Sequence, residues 1–297
     1  MHSNLMDNIT EKQNSKSENL NHLEIIEILE IINVEDQEVA SRVHEILPKI
    51  NLLILDIVEK MNKGGRIFYI GCGTSGRLGV LDASECPPTF GTEDDLVQGI
   101  IAGGYKALTK SVENAEDSYN DGFNIINEKK INNLDTVIGI SASGRAPYVH
   151  GALNNAQKKG ATTSLICCNK ITDEKYINHL LSVIVGPEVI TGSTRMKAGT
   201  ATKMILNMIS TTVMIKLNKV FGNLMVDLKL NNKKLFNRAI SIIVQITKTN
   251  KKNAEKFLKK SDGNIKIAII MILYNKTRKE AEGILMEHNN SLSQILK

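Results

Sequence analysis

The sequence predicts an α/β fold with a doubly wound, mostly parallel sheet, and three observations support this. Short β-rich runs alternate with helical patterns through the middle of the chain, as expected where helices cover both faces of a parallel sheet. Two of these runs end in glycine- or serine-bearing turns that open a helix. The 297 residues suffice for one large domain of this class with helical additions.

The chain starts with a polar segment followed by two helical patterns. Residues 1–20 are rich in Asn and Ser, and we expect them to form a flexible arm. Apolar residues recur at helical spacing from Leu23, and a second helical pattern covers residues 38–61, with a kink or break at Pro48. Because these helices precede every strand, we assign residues 1–53 to an N-terminal appendage that packs on the main domain or on a partner subunit.

The alternation of strands and helices lies within residues 54–228, which we assign to the main domain. The predicted strands cover residues 66–70, 96–102, 136–141, 163–168 and 182–185. Helices are expected over 117–130, 148–159 and 196–217. The helical stretch that follows the first strand should end at Ser84, because Pro87 and Pro88 follow it closely.

Residues 229–297 are predicted to form a small helical subdomain. A loop over 221–229 leads into short helices over 234–247, 253–260, 265–274 and 278–287. Gly263 and Asn275 stand at plausible helix ends. The glycine-bearing turn and its strand occur once, so an internal repeat is not expected.

Composition argues against several classes of function. Aromatic residues make up 4%, without Trp, which disfavours stacking on single-stranded nucleic acid. The net charge of +5 is spread over the Lys-rich last third and reads as a solvated surface, although it also suits an anionic substrate. No apolar run reaches membrane-spanning length, and the four cysteines lack zinc-type spacing. We therefore expect a cytoplasmic protein without a nucleic-acid or membrane partner. We also expect no metal or other cofactor, on the family resemblance described below.

A first candidate binding segment is the turn from Gly71 to Arg77. Its glycines allow close backbone approach, Thr74 and Ser75 add hydroxyl donors, and the helix that begins near Gly76 offers unpaired amides to an anion or sugar group. The spacing also fits a dinucleotide motif, but the acidic residue expected at the end of a second strand has no clear candidate. The alternative interpretation is that this segment is an ordinary tight turn between a strand and a helix and binds no ligand.

A second segment, SASGR over residues 141–145, also follows a strand and precedes a helix. Ser141 and Ser143, with their backbone amides, suit a phosphate, and Arg145 adds charge. Both turns follow strands of the same parallel sheet, so they should face one crevice. Helix capping by Ser143 is the alternative function of this serine.

A third segment, GSTRMKAGT over residues 192–200, opens the long helix. Ser193 or Thr194 could cap it, whereas Arg195 and Lys197 place positive charge in its first turn, against the helix dipole. A bound phosphate would compensate for that arrangement, and functional sites concentrate such violations. The alternative is that both cations point into solvent.

Two glutamates are candidates for acid–base chemistry. Glu85 precedes the double proline, and Glu116 lies in the polar run VENAED. Taken alone, each of them is more typical of an ordinary surface carboxylate.

The longest strings of the sequence resemble the N-acetylmuramic acid 6-phosphate etherases. They are GGRIFYIGCGTSGRLGVLDASECPPTFG at 64–91, VENAEDS at 112–118, ASGR at 142–145, VITGSTRMKAGT at 189–200 and KVFGNLMVD at 219–227. The resemblance is dense in the middle and thin over the last 60 or so residues. Cys72 and Asn114 stand where alanine and glycine are common in that family, and neither departure removes a candidate catalytic group.

The resemblance implies a sugar isomerase (SIS) domain, a C-terminal subdomain similar to ubiquitin-associated domains, a homodimer and no metal. It also implies a lyase that cleaves the D-lactyl ether of N-acetylmuramic acid 6-phosphate with water, giving N-acetylglucosamine 6-phosphate and D-lactate in cell-wall sugar recycling. Glu116 is then the base at C2 and Glu85 the acid that assists lactate departure. The remaining residues implied in substrate binding are Thr74, Ser75, Gly76, Ser141, Ser143, Arg145, Ser193, Thr194 and Lys197.

Three rival functions share this fold. A sugar-phosphate sensor like the glucokinase regulatory protein would need two SIS domains, and one is visible. A DNA-binding regulator would need an N-terminal helix-turn-helix, for which the acidic first helices are unsuited. An aldose–ketose isomerase would use a similar C2 base, but release of lactate distinguishes the etherase from all three.

Overall fold

A computed structural model describes residues 8–172, 174–230 and 232–296. The chain divides into two compact units. The first comprises Met1–Ser84 and Asp95–Ser210, and the second comprises Glu85–Asp94 and Thr211–Lys297.

The first unit contains a five-stranded parallel sheet with the order β2-β1-β3-β4-β5, which confirms the predicted α/β class. The strands are β1 (Ile67–Gly71), β2 (Val97–Ile101), β3 (Thr136–Ile140), β4 (Thr162–Cys167) and β5 (His179–Ser182). The central strands are buried along their whole length, as expected for continuous apolar runs covered on both faces. The order reverses between β1 and β3, which is where open sheets of this type bind ligands.

Helices connect and cover these strands. They are α1 (Ile25–Glu45), α2 (Leu47–Met61), α3 (Gly73–Phe90), α4 (Tyr119–Glu128), α5 (Pro147–Lys158) and α6 (Lys197–Lys216). One core cluster joins Phe68 and Ile70 of β1 to Val149 and Leu153 of α5. The predicted break near Pro48 is confirmed, because α1 ends at Glu45 and proline occupies the first turn of α2, where its missing N–H costs nothing.

The expected flexible arm is wrong for the described residues 8–22, which form three short 3₁₀ turns and are anchored. The Thr10 N–H donates to Asn169 Oδ1 at 3.3 Å, and the Asn14 amide donates to Glu35 at 2.9 Å. The Ser17 hydroxyl donates to the Val189 carbonyl at 2.7 Å. Polar composition suggested a free segment, whereas these side chains satisfy distant partners; residues 1–7 lie outside the described part of the chain.

Two predicted boundaries are also wrong. The last strand covers His179–Ser182 and not residues 182–185. The Val183 N–H still donates to the Cys167 carbonyl at 2.8 Å, but residues 184–185 lie beyond the end of β4, so their apolar character gave a strand-like signal outside the sheet. Helix α3 does not stop at Ser84 but runs through Pro87 and Pro88 to Phe90. Proline's fixed φ is helical, and the ladder resumes where the Gly91 N–H donates to the Pro87 carbonyl at 2.9 Å.

The second unit is helical, as predicted, with one short hairpin where a loop was expected. The hairpin pairs β6 (Val220–Phe221) with β7 (Leu224–Met225). The helices are α7 (Lys233–Thr247), α8 (Lys251–Lys260), α9 (Ile265–Leu273), α10 (Arg278–Glu287) and α11 (Leu292–Ile295). The abundant asparagines have a local function, because the side chains of Asn232, Asn250 and Asn264 cap α7, α8 and α9.

The core of this unit includes one buried cation. Lys266 donates to Asp227 at 2.7 Å and to the carbonyls of Asn218 and Asn290 at 2.8 and 3.0 Å. Burial lowers the pKa of Lys266, and Asp227 opposes that shift. Across the described residues, no helix has both the length and the apolar character needed to cross a membrane.

Candidate functional site

The glycine turn after β1 forms an open helix start. Helix α3 begins at Gly73, whose φ is +50°, and the first intrahelical bond runs from the Gly76 N–H to the Cys72 carbonyl at 3.1 Å. Gly76 packs so closely that a Cβ there would lie 2.6 Å from both the Gly71 carbonyl oxygen and Ile101 Cγ1. The earlier amides, at Thr74 and Ser75, lie in the first turn, where a helix has no internal acceptors.

The serine loop, residues 141–145, is organised by its own hydroxyls. Ser141 Oγ accepts from the Gly144 N–H at 3.2 Å and from the Ala146 N–H at 3.4 Å. Ser143 Oγ accepts from the Arg145 N–H at 3.2 Å and lies 3.2 Å from Ser141 Oγ. Amides and hydroxyls therefore converge in one short loop, which is the donor set that a phosphate group requires.

These two turns leave the sheet side by side. In the β1–β3 pairing, Gly71 is opposite Ile140, so the glycine turn and the serine loop start from adjacent positions. This is the point at which the strand order reverses, and it confirms the prediction that both turns share the carboxyl edge of the sheet.

Glu116 lies in a turn that is fixed to the start of α5, the helix that follows the serine loop. Its backbone carbonyl accepts from the Tyr148 N–H at 3.0 Å, at the start of α5. Partial desolvation raises the pKa of the Glu116 carboxyl, and the carboxylate of Asp117 raises it further. Burial raises the pKa of Cys72 to about 12, and Glu116 adds to that shift, which places the glutamate within electrostatic range of the glycine turn.

A cavity of about 820 Å³ opens beside the same turn, but it belongs to the β2 side of the sheet. Gly103, Glu113, Asn114 and Tyr148 are among the residues that line it. The serine loop and the residues Thr74–Ser75 of the glycine turn do not line it, so its size alone does not identify the site.

The third predicted segment is neutralised by the protein's own carboxylates. The Lys197 ammonium is buried and ion-paired with Glu35, which also accepts from Lys16 at 2.8 Å. The backbone amides of Lys197 and Ala198 donate to the two oxygens of buried Glu188, each at 2.9 Å. The violation of helix design at this end is therefore compensated from within the chain, and the bound phosphate expected there from the sequence stays a prediction.

The hydroxyl residues of this segment remain near the glycine turn. Ser193 and Thr194 are half-buried. A Cβ at Gly199 would lie 3.5 Å from the Thr194 carbonyl oxygen and 3.7 Å from Thr74 Cγ2, so the start of α6 packs beside the start of α3. Arg145 and Arg195 are exposed.

Glu85 is exposed and lies in the final part of α3, which belongs to the second unit. The residues that sequence reasoning missed are Glu35 and Glu188, together with His150, whose Nε2 is 2.8 Å from the Gly144 carbonyl oxygen. None of them stands in a recognisable motif. Glu35 and Lys197 are 162 positions apart, so local spacing carried no signal for their pairing.

Family models match two parts of the chain. The model of the N-terminal SIS domain of glucokinase regulatory protein matches residues 49–157, and that of the same protein's C-terminal lid domain matches residues 222–265. A solved phosphoheptose isomerase from Neisseria gonorrhoeae superposes with a TM-score of 0.48 at 13% identity, over 64% of this chain and 98% of that one.

Much closer relatives cover the whole chain. An N-acetylmuramic acid 6-phosphate etherase of Clostridium botulinum is 50% identical over 99% of this chain and 98% of its own length. Relatives of the same name from Clostridium acetobutylicum and Aliivibrio fischeri are 49% and 46% identical, over 100% and 97% of this chain and 99% and 96% of their own lengths.

Proposed function

The chain belongs to the N-acetylmuramic acid 6-phosphate etherases, and from this premise we propose how its residues share the reaction. The enzyme is a carbon–oxygen lyase of amino-sugar catabolism. It uses water to cleave the D-lactyl ether of N-acetylmuramic acid 6-phosphate and yields N-acetylglucosamine 6-phosphate and D-lactate.

The observation that carries the site assignment is the pairing of Gly71 with Ile140, which starts two donor-rich turns side by side. We assign the substrate phosphate to the serine loop, where Ser141 and Ser143 supply hydroxyls and the loop supplies amides. The start of α3, with Thr74, Ser75 and Gly76, adds the first-turn N–H groups of Thr74 and Ser75, the close backbone approach that Gly76 allows, and the positive end of a helix dipole. Exposed Arg145 contributes positive charge at the mouth of the loop.

Ser193 and Thr194 are proposed to contact the sugar, because α6 begins beside Thr74. Lys197 has a different part in this proposal. Its ammonium is committed to Glu35, so it supports the fold of the segment that presents Ser193 and Thr194 and does not itself contact the phosphate.

The chemistry starts with ring opening to the C1 aldehyde, which makes the C2 proton acidic. Glu116 takes this proton. The raised pKa of its carboxyl makes the carboxylate a stronger base. The resulting carbanion, stabilised as an enolate, expels lactate from C3, and Glu85 gives its proton to the departing oxygen, leaving an unsaturated aldehyde.

The second half of the reaction reverses these roles. Glu85, now a carboxylate, takes a proton from water as the hydroxyl adds to C3, and Glu116 returns a proton to C2. One water is consumed, both carboxyls regain their starting states, and the amino-sugar phosphate closes its ring. The assignment of Glu85 rests on its position in the family motif, and two carboxyls in opposite protonation states suit the sequence of steps.

We further propose that the enzyme is a cytoplasmic homodimer without a nucleic-acid partner. Helix α1 exposes apolar side chains, with Ile25 77% and Ile26 61% exposed, which favours a second copy of the chain as their cover. All four cysteines are free thiols, which fits a reducing compartment. Light scattering on the purified protein tests the dimer, since a monomer at micromolar concentration would contradict it.

The test of the reaction is incubation with N-acetylmuramic acid 6-phosphate in D₂O, with D-lactate and the C2 position followed by NMR. Lactate together with deuterium at C2 of the product is the expected result, because the C2 proton is exchanged during elimination. Deuterium at C2 without lactate would identify an isomerase, and an unchanged substrate would leave the chain a binding protein.

A further inference from the structure

The serine loop rests on a histidine that the reaction scheme does not use. His150, on α5, places Nε2 2.8 Å from the Gly144 carbonyl oxygen and Nδ1 2.9 Å from the Tyr176 hydroxyl. The two rings pack edge to face, with centroids 5.9 Å apart. Tyr176 belongs to the connection between β4 and β5, so the pair ties a third segment to the loop.

The partners determine the protonation of this histidine. A carbonyl oxygen only accepts, so Nε2 must carry the proton that bonds to Gly144. In a neutral ring Nδ1 then accepts from the Tyr176 hydroxyl. Burial raises the pKa of Tyr176 to about 12, so that hydroxyl keeps its proton and remains a donor at neutral pH.

The consequence for the loop follows from the planarity of the peptide bond. The Gly144 carbonyl and the Arg145 N–H belong to one rigid plane and point in opposite directions. When His150 holds the carbonyl towards α5, the Arg145 N–H is turned the other way, to Ser143 Oγ at 3.2 Å. This N–H is one of the amides of the serine loop, which the proposed function assigns to the substrate phosphate together with the serine hydroxyls.

The backbone conformation at Gly144 depends on this contact with His150, because no side chain can take the place of the glycine hydrogen. Its φ is +74°, and a Cβ there would lie 2.8 Å from Ile171 Cγ2, so only glycine fits. A glycine at this position is conformationally permissive, and its carbonyl needs an external partner to fix the following peptide plane.

We propose that His150, supported by Tyr176, is a positioning residue that aims the Arg145 N–H at the phosphate of the substrate. The inference rests on the proposed function and deepens it, because it concerns how tightly the phosphate is held and leaves the acid–base steps to the two glutamates.

The test compares three variants by steady-state kinetics, with inorganic phosphate as a competitive inhibitor. His150→Leu should raise KM and the inhibition constant for phosphate by the same factor, about 3- to 10-fold, and leave kcat within about twofold, because one loop hydrogen bond is lost. His150→Gln keeps an N–H near the Nε2 position and should restore most of the affinity. Tyr176→Phe should raise both constants by less than His150→Leu.

Matched controls separate positioning from general damage. Tyr119→Phe removes a hydroxyl that accepts a hydrogen bond from Asn154, away from the serine loop. His288→Leu removes a histidine at the C-terminal end of α10. Both variants should retain the wild-type KM and the wild-type inhibition constant for phosphate. An unchanged KM and phosphate inhibition in His150→Leu would overturn the proposal. So would ¹⁵N NMR of the wild-type ring showing the Nδ1–H tautomer, a measurement that needs no variant to fold. Absence of lactate release by the wild-type enzyme would refute the proposed function instead.

Discussion

Two loops of the molecule have similar sequences, but their helix-opening amides and their cations have different partners. The serine loop, residues 141–145, and the segment GSTRMK, residues 192–197, each open a helix with small hydroxyl residues and a following cation. In the serine loop, the hydroxyls of Ser141 and Ser143 order the amides of a loop that carries exposed Arg145. At the start of α6, Glu188 accepts the first two helical amides and Glu35 neutralises Lys197.

We infer from this difference that Lys197 supports the fold and does not bind the ligand. A buried lysine with an ideal partner contributes little net stability, but removing the partner leaves an uncompensated charge. We therefore expect substitutions around the serine loop to affect catalysis and binding, and substitutions around α6 to affect stability. Four experiments test this division, in order of decreasing effect.

The largest effect is expected at Glu116, whose turn is bonded to the start of α5, directly after the serine loop. Glu116→Gln should lower kcat by about 10²- to 10⁴-fold, because a general base is lost, and should leave the urea midpoint nearly unchanged. Glu113→Gln, at an exposed position of the same turn, is the control and should keep the wild-type kcat. Near-normal lactate release by a folded Glu116→Gln enzyme would refute the assignment.

The strongest effect on stability is expected at Glu35. Glu35→Ala leaves the Lys197 charge buried without its partner and should lower the free energy of unfolding by about 3–5 kcal/mol. Urea denaturation followed by circular dichroism measures the change, with exposed Glu30→Ala as the control. Loss of activity without loss of stability would show that Lys197 faces the substrate and would end the contrast between the two loops.

The pH dependence of stability sharpens the same contrast. Desolvation raises the pKa of Glu35, but hydrogen bonds from Lys16, Lys197 and Asn14 outweigh it and lower the pKa to about 2. A depressed carboxyl pKa stabilises the folded state above the unfolded value near 4.5 and loses that contribution as pH falls towards 2.

The stability difference between the wild type and Glu35→Gln should therefore be largest above about pH 5 and shrink by on the order of 2–3 kcal/mol towards pH 2. Burial raises the pKa of Glu188, which acts in the opposite direction, but this contribution is common to both proteins and cancels. Chemical denaturation at a series of pH values measures the difference, and a constant difference would contradict the ion pair.

The smallest effect is expected at Ser143. Ser143→Ala removes a hydroxyl proposed to bind phosphate and should raise KM about tenfold, with a change in unfolding free energy below about 1 kcal/mol. Ser111→Ala, at an exposed position outside both loops, is the control. If Ser143→Ala instead destabilised the protein with an unchanged KM, the serine would be a helix cap, as the alternative interpretation of the sequence holds.

The sequence predicted the parts of the fold that depend on local periodicity. Four of the five strands and the helices between them lie within a few residues of expectation, because fully buried apolar runs and amphipathic spacing are local signals. The last strand was misplaced, because the apolar run 183–185 lies at and beyond the end of the pairing with β4, and apolar character was the signal used. The continuation of α3 through Pro87 and Pro88 was missed because a proline rule predicts a tendency that tertiary packing can override.

The sequence predicted the parts of the candidate site whose residues lie in a single turn. It did not predict contacts between residues that are far apart in the chain. The adjacency of the glycine turn and the serine loop followed from strand–turn–helix patterns. The contacts of Lys197 with Glu35 and of His150 with Tyr176 join different elements of the fold. Residues of these four types more commonly have an ordinary place at the surface or in the core, so their identity alone did not predict the contacts. Only the three-dimensional structure shows which residues of these types form such contacts.

The anchored residues 8–22 have a consequence for how the protein is made. Thr10 bonds to Asn169, 159 positions later, and Ser17 bonds to the carbonyl of Val189. During synthesis at about 5–20 residues per second, this segment is made on the order of 8–30 s before its partners exist. A nascent chain stalled before Asn169 therefore presents the segment unprotected to proteases, whereas the finished chain lets it bond to Asn169 and Val189.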